Sequence, residues 1–198
     1  MNKQEFIKEY RIKDAMPIDP SLRVLPAEGV AEAIEEFINE RFRGVAHAAN
    51  SVFCYGGVLI CPDYLAYFFK TLLTEIYGRC LVEISITNDN ERFCIMAETD
   101  EEIPLSEIAQ RNLIRIARNA GAKASLSEKA IKLSYKFDDA AIRRVYAISV
   151  NDGRRTMLSK LGELFYCGEE LDSENPPTLL PKKIKRAKRA ANNTTKNN

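Results

Sequence analysis

The chain is short of several things, and each shortage closes a route to function. It has one histidine, His47, in 198 residues. A zinc site of ordinary ligand spacing therefore lacks nitrogens, and the five cysteines (Cys54, Cys61, Cys80, Cys94, Cys167) include no CxxC pair to replace them. Reduced thiols packed as small hydrophobes are the expected state. No apolar run approaches the ~18–20 residues of a bilayer-spanning helix, so no membrane span is expected. The opening segment MNKQEFIKEYRIKDAMP interleaves charge with single apolar residues and has no apolar block of a secretory signal, so a cytoplasmic location is expected. Gly56-Gly57 is not followed by Gly-Lys-Ser/Thr, which excludes a P-loop, and no GxSxG accompanies the lone histidine, which removes the serine-hydrolase pattern.

Acids are missing from one end. After Glu174 none occurs, while Lys182, Lys183, Lys185, Arg186, Lys188, Arg189 and Lys196 follow. The net charge of +1 thus conceals a division: taking those seven bases from 29 leaves 22 against 28 acids, about −6 over residues 1–174. Pro176-Pro177 and Pro181 read as a linker, and 175–198 as a low-complexity, disordered basic tail. The run 182–189 is a candidate contact for nucleic acid or another anionic surface, because clustered Lys and Arg neutralise phosphates without reading sequence. It has no interleaved aromatics for base stacking. The acidic body of a second copy is another partner it fits.

Apolar residues make up 45% of the chain, enough for a core, and their spacing changes along it. Residues 1–29, with Pro17, Pro20, Pro26 and Gly29, read as an irregular or partly helical lead-in. Ile34, Phe37, Ile38, Val45, Ala49 and Val52 recur at helical spacing, so 30–53 is expected to be one long amphipathic helix, closed by the Gly56-Gly57 pair. Positions 34, 38, 45, 49 and 52 approximate a seam, which points to a homodimer through this helix or, equally, to burial against the chain's own sheet. Val58 to Cys61 is a short apolar run, and Pro62-Asp63 opens a helix that buries Leu65, Phe68, Phe69, Leu72, Leu73 and Ile76 and stops at Gly78.

The period then switches. Residues 81–86 alternate, Asn88-Asp89-Asn90 supplies turn chemistry, and 92–97 resumes as a strand, giving a hairpin. The acidic loop Glu98-Thr99-Asp100-Glu101-Glu102 follows. It has no EF-hand pattern or central glycine and is expected to be solvated, holding no metal. A helix begins near Pro104 and Ser106 and ends at Asn119-Ala120-Gly121. Residues 122–126 and 130–137 form a second hairpin, and helices near 139–149 and 153–167 close the body. The fold class is α+β: a two-layer sandwich of helices on a mixed or antiparallel sheet.

This order and particular residues resemble the ATP-binding domain of sensor histidine kinases, the histidine-kinase-like ATPase (GHKL or Bergerat) fold, over about 58–137. Asp63-Tyr64-Leu65 leading into Thr71-Leu72-Leu73-Thr74-Glu75-Ile76 is similar to the strand, Asp and NLLxNA-like helix of that family. Residues 98–104 stand at the DxGxGI adenine-binding loop, and 113–122 at the helix and turn before the final hairpin. The resemblance implies a site for ATP and Mg²⁺ at Glu75, Glu98 and Asp100. Glu75 stands in place of the Asn that helps hold Mg²⁺, Glu98 in place of the Asp that meets adenine, and Asp100 and Glu102 in place of two glycines. No GxGxG lid is present. Carboxylates where phosphates would lie repel them.

Arg43 to Asn50 resembles the family's H-box, which makes His47 a candidate phosphoacceptor. On a helix His47 would share a polar face with Glu36, Glu40, Arg43, Asn50 and Ser51. Ala48 stands where an acid commonly follows that histidine, and the 15 residues between His47 and Asp63 leave no room for a second dimerisation helix. The expected function is a diverged, non-catalytic signalling scaffold that needs no cofactor and works by protein contacts. The alternatives are an active ATP-dependent kinase phosphorylating His47, and a nucleic-acid accessory protein using 182–189. The expected units are the lead-in 1–29, the helix 30–57, the domain 58–137, the C-terminal helices 138–174 and the tail 175–198.

Overall fold

The computed structural model describes residues 1–17, 19–53, 56–77, 79–137 and 149–165. Its elements are α1 (Lys3–Glu9), β1 (Arg23–Pro26), α2 (Ala27–Arg41), β2 (Ala46–Ser51), β3 (Gly57–Ile60), α3 (Pro62–Ile76), β4 (Val82–Asn88), β5 (Arg92–Glu98), α4 (Glu107–Asn119), β6 (Lys123–Leu126), β7 (Ala130–Lys136) and α5 (Val150–Phe165). The expected tail and the helix near 139–149 lie outside the described residues.

Five strands form a mixed sheet in the order β2-β4-β5-β7-β6, parallel between β2 and β4 and antiparallel elsewhere. β1 and β3 pair antiparallel as a separate ribbon. Because side chains alternate across a strand, one face of the large sheet carries Ile84, Ile86, Phe93, Ile95, Leu133 and Tyr135, all buried in one core with the apolar stripes of α2, α3, α4 and α5. The other face is polar and open. The two-layer α+β architecture expected from the changes of period is the one observed, with both hairpins at the expected places.

Local chemistry sets the helix ends. Pro62 occupies the first turn of α3, where its missing N–H is no loss, and Asp63 beside it favours the positive end of the helix dipole. Ser106 caps α4 by accepting from the Ala109 N–H, and Gly121, at φ +90°, turns the chain out of it. α2 and α5 approach closely because glycine allows it: a Cβ on Gly29 would lie 2.3 Å from the Val150 carbonyl oxygen, and one on Gly153 would lie 2.8 Å from Pro26.

The long helix expected over 30–53 is not formed. α2 ends at Arg41, Gly44 turns the chain at φ +91°, and 46–51 run as the edge strand β2. The apolar positions that looked like a dimer seam are divided accordingly. Ile34 and Ile38 are buried under α2, Val45 and Val52 flank β2 inside the core, and Ala49 is exposed on the strand. Apolar residues at 45, 49 and 52 satisfy helical spacing, but β2 gains a ladder with β4 from Ala46↔Val82 to Ser51↔Thr87. The sheet therefore reaches back before residue 58.

Candidate functional site

The acidic loop after β5 is held by its own backbone. Thr99 donates its N–H to the Lys129 carbonyl (3.0 Å) and Ile103 donates to the Glu128 carbonyl (2.8 Å), which pins the loop to the turn between β6 and β7. The Lys129 ammonium closes the same junction by donating to the Asp100 carbonyl at 2.7 Å. Thr99 is buried, and its hydroxyl donates to the Glu101 carbonyl. The loop thus takes its shape from a neighbouring turn.

This pinning creates an open cleft of about 400 Å³ lined by Leu81, Glu83, Glu98, Thr99, Asp100 and Lys129. Glu98 and Asp100 are brought together there, joined by Glu83, which pairs in register with Glu98 across β4 and β5. Three acidic residues and one lysine line it, and the lysine ammonium already serves a carbonyl. Such a lining favours cations or basic side chains over a triphosphate.

Glu75 does not line the cleft. It sits near the end of α3 and accepts from Lys3 of α1 at 2.8 Å, a pair that fastens the N-terminal helix to the body. Asp63 is buried against α5, where the Lys160 ammonium lies 3.3 Å away and also reaches Glu163 at 3.1 Å. Burial works to lower the Lys160 pKa, but the hydrogen bond to Glu163 and the charges of Asp63 and Glu163 outweigh it and raise the value. Phe68 and Phe69, stacked edge to face at 5.8 Å, are fully buried on α3, and α4 packs against that helix.

His47 lies on β2, not on a helix. Its side chain is exposed on the open sheet face, in the register row that continues through Glu83 and Glu98. Asn39 of α2 holds the strand in place: its side-chain amide donates to the Ala48 carbonyl and its oxygen accepts from the Ala48 N–H, both at 2.8 Å. This pair of hydrogen bonds to a side chain covers an edge that would otherwise be free to pair. The α2 surface beside it carries a second acidic hollow, lined by Glu32, Glu35, Glu36 and Glu40 with Arg43 and Arg154, in which Arg154 pairs with Glu36.

Among the described residues no group of three or more His, Cys, Asp or Glu side chains is arranged to hold a metal ion. Nor, among the described residues, is any helix long and apolar enough to cross a membrane. Cys61 is buried, Cys80 and Cys94 are half-buried, and these three are free thiols. Sequence reasoning missed Glu83 and Lys129. The alternation of β4 was the available signal for Glu83, and Lys129 joined the cleft only through the hydrogen bonds of its turn.

No family model matches the chain, and no curated protein does. Solved histidine-kinase structures are similar to it at low identity. The cytoplasmic segment of the histidine kinase QseC aligns at 11% identity and TM-score 0.42, over 68% of this chain and 90% of that one. The Acinetobacter baumannii histidine kinase AdeS aligns at 7% and 0.39, over 69% and 76%. The catalytic domain of the histidine kinase ThkA aligns at 9% and 0.39, over 59% and 96%.

Proposed function

We propose that this protein is a diverged signalling scaffold with a histidine-kinase-like fold, acting through protein contacts and not by nucleotide chemistry. The observation that carries the proposal is the cleft at the end of β5, whose lining holds Glu83, Glu98 and Asp100 with a single lysine, Lys129, whose ammonium is already engaged. Stabilising a triphosphate requires donors and positive potential, and this lining supplies the opposite. The buried Phe68 and Phe69 and the packing of α4 on α3 support the same reading. So does the pairing of Glu75 with Lys3, since a carboxylate bound to an ammonium is a poor metal ligand.

Thermal melts with millimolar Mg²⁺, Mg²⁺-ATP or Ca²⁺ test this. A ligand at 100 times its Kd stabilises by ~2.7 kcal/mol, a shift of several degrees for a domain of this size. Unchanged midpoints with all three are expected. A shift specific to Mg²⁺-ATP, abolished by Glu75→Ala or Glu98→Ala, would overturn the scaffold reading.

One observation favours the alternative enzyme: the His47 imidazole is exposed, as a phosphoacceptor must be. Incubation with radiolabelled ATP separates the two, because acid-labile label lost in His47→Gln belongs to a kinase alone. The nucleic-acid alternative rests on 182–189, outside the described residues. Nucleic-acid retention at low salt that disappears on deleting the tail would support it.

A further inference from the structure

On the β5, β7 and β6 half of the open sheet face, cations surround a hydroxyl. Ser134 of β7 has Lys132 and Lys136 two positions away on its own strand, Lys123 directly opposite on β6 and Cys94 directly opposite on β5. Strand geometry puts the two β7 lysines ~7 Å from Ser134 and Lys123 ~5 Å from it, Cα to Cα. Arg92 of β5 reaches in from the next row, its Nη1 donating to the Ser134 hydroxyl at 3.5 Å. The Cys94 thiol donates to the same oxygen at 3.8 Å. Both contacts are long, and among the described residues the Ser134 proton has no acceptor.

The cations are as poorly matched as the hydroxyl. Arg92 and Lys136 pair in register, and like charges directly opposite one another on neighbouring strands destabilise a sheet. Among the described residues none of Arg92, Lys123, Lys132 and Lys136 forms an ion pair. The nearby acids do not offset them. Asp89 accepts from the backbone N–H groups of Glu91 and Arg92 at 2.8 and 2.6 Å, and these bonds, with smaller contributions from the charges of Arg92 and Lys132, hold its carboxyl below the usual range. Glu91 stands opposite Phe137, on the covered side of the alternation. Glu98 is four positions along the neighbouring strand, ~14 Å from Ser134, and Glu83 lies one strand further. Both are beyond the Debye length of ~8–10 Å at ordinary salt.

From this juxtaposition we infer that Ser134 marks a binding site for the phosphate group of a small soluble compound, with Arg92, Lys123, Lys132 and Lys136 as its cationic rim. A phosphate dianion supplies acceptors alone: the serine donates its free proton, the guanidinium fork takes two oxygens, and the flexible ammonium groups act as point charges. Occupancy also relieves the repulsion between Arg92 and Lys136. Size selects the ligand. The rim covers three strands, ~10 Å across, and runs ~13 Å along β7, room for one phosphate group. A nucleic-acid strand needs a longer surface of one sign and aromatic platforms, and these strands present no aromatic side chain outward. A flat anionic membrane would meet Glu83 and Glu98 as well. The site gives the proposed scaffold a ligand without depending on that reading.

An NMR titration of the full chain, in phosphate-free buffer at ~150 mM salt, tests it with inorganic phosphate and glycerol phosphate as probes. Saturable shifts of the Cys94, Lys123 and Ser134 amides are expected with both, because the phosphate group is the part recognised. Arg92→Gln and Lys123→Gln are each expected to weaken binding about tenfold, and Ser134→Ala about threefold. Arg111→Gln, which removes an exposed cation of α4, is expected to leave it unchanged. Circular dichroism verifies folding, and should either glutamine variant fail to fold, Lys132→Gln reads the same loss. Absence of saturable shifts, shifts away from this face, or binding that survives both Arg92→Gln and Lys123→Gln would overturn the inference. So would anionic vesicles or a single-stranded oligonucleotide that bind this face while the two small phosphates do not. In Mg²⁺-ATP the metal already takes up phosphate oxygens and part of their charge, so the melts that test the proposed function report another event, and either reading can fail alone.

Discussion

The two faces of the five-stranded sheet are made from alternate residues of the same strands, yet they have opposite roles. On one face Ile84, Ile95, Leu133 and Tyr135 are buried beneath four helices, and glycine lets two of those helices touch backbone to backbone. On the other, His47, Glu83, Glu98 and Lys132 remain exposed, and the shape of the cleft comes from a few hydrogen bonds between two turns. Stability therefore resides on the covered face, while the open one keeps its polar side chains in solvent. A strand codes for both at once because its side chains alternate.

Substitutions can break or sharpen this contrast. The largest effect is expected from Phe42→Ala, because Phe42 is buried among Phe6, Tyr10, Phe37 and Phe165, with the Tyr10 ring stacked at 4.9 Å. A loss of about 4 kcal/mol in urea unfolding is the expected cost of that cavity. Retention of stability within 1 kcal/mol would show that the helical layer does not hold the fold.

Lys160→Ala comes next, at about 3 kcal/mol, since it leaves the buried Asp63 carboxylate without its counter-ion. The folded-state pKa of Lys160 is raised, so the ammonium stabilises the fold fully below its ordinary value of 10.5, and that contribution is lost as pH rises through the higher folded value. The difference between wild type and variant is therefore expected to be constant near neutrality and to shrink above pH 10.5. Unfolding curves at a series of alkaline pH values measure it, and a constant difference throughout would contradict the assignment.

Gly29→Ala is expected to cost about 2 kcal/mol, because overpacking against backbone exceeds the gain in helix propensity. Tyr135→Phe should act in the opposite direction. The Tyr135 hydroxyl is fully buried with no hydrogen-bond partner among the described residues, and burial, with a smaller contribution from Cys61, pushes its pKa up. Removing it is expected to stabilise the protein by about 1 kcal/mol, visible as a higher melting temperature. The smallest change belongs to the open face: Glu98→Gln is expected to alter stability in urea unfolding by less than about 0.5 kcal/mol. A large loss of stability from that substitution would mean that the cleft supports the fold.

The sequence alone determined the elements whose signals are local. α3 has Pro62 at its start and an unbroken apolar stripe, α4 has Ser106 before it and Gly121 after it, and both antiparallel hairpins combine a period of two with a short polar turn. The acidic loop was legible as acidic, and Glu98 and Asp100 as neighbours. Tertiary structure decided the rest. Residues 46–51 satisfy both a helical and a strand spacing, and only pairing with β4, more than thirty positions away in the chain, together with the Asn39 clamp, made them an edge strand and turned His47 to the open face. Glu75 went to Lys3 and Asp63 to Lys160 because α1 and α5 dock on α3. Glu83 and Lys129 joined the cleft through strand register and a turn-to-turn hydrogen bond. Propensity, capping and turn chemistry act over a few residues, whereas register and docking depend on which distant surfaces exclude water from one another, and no window along the chain contains both partners.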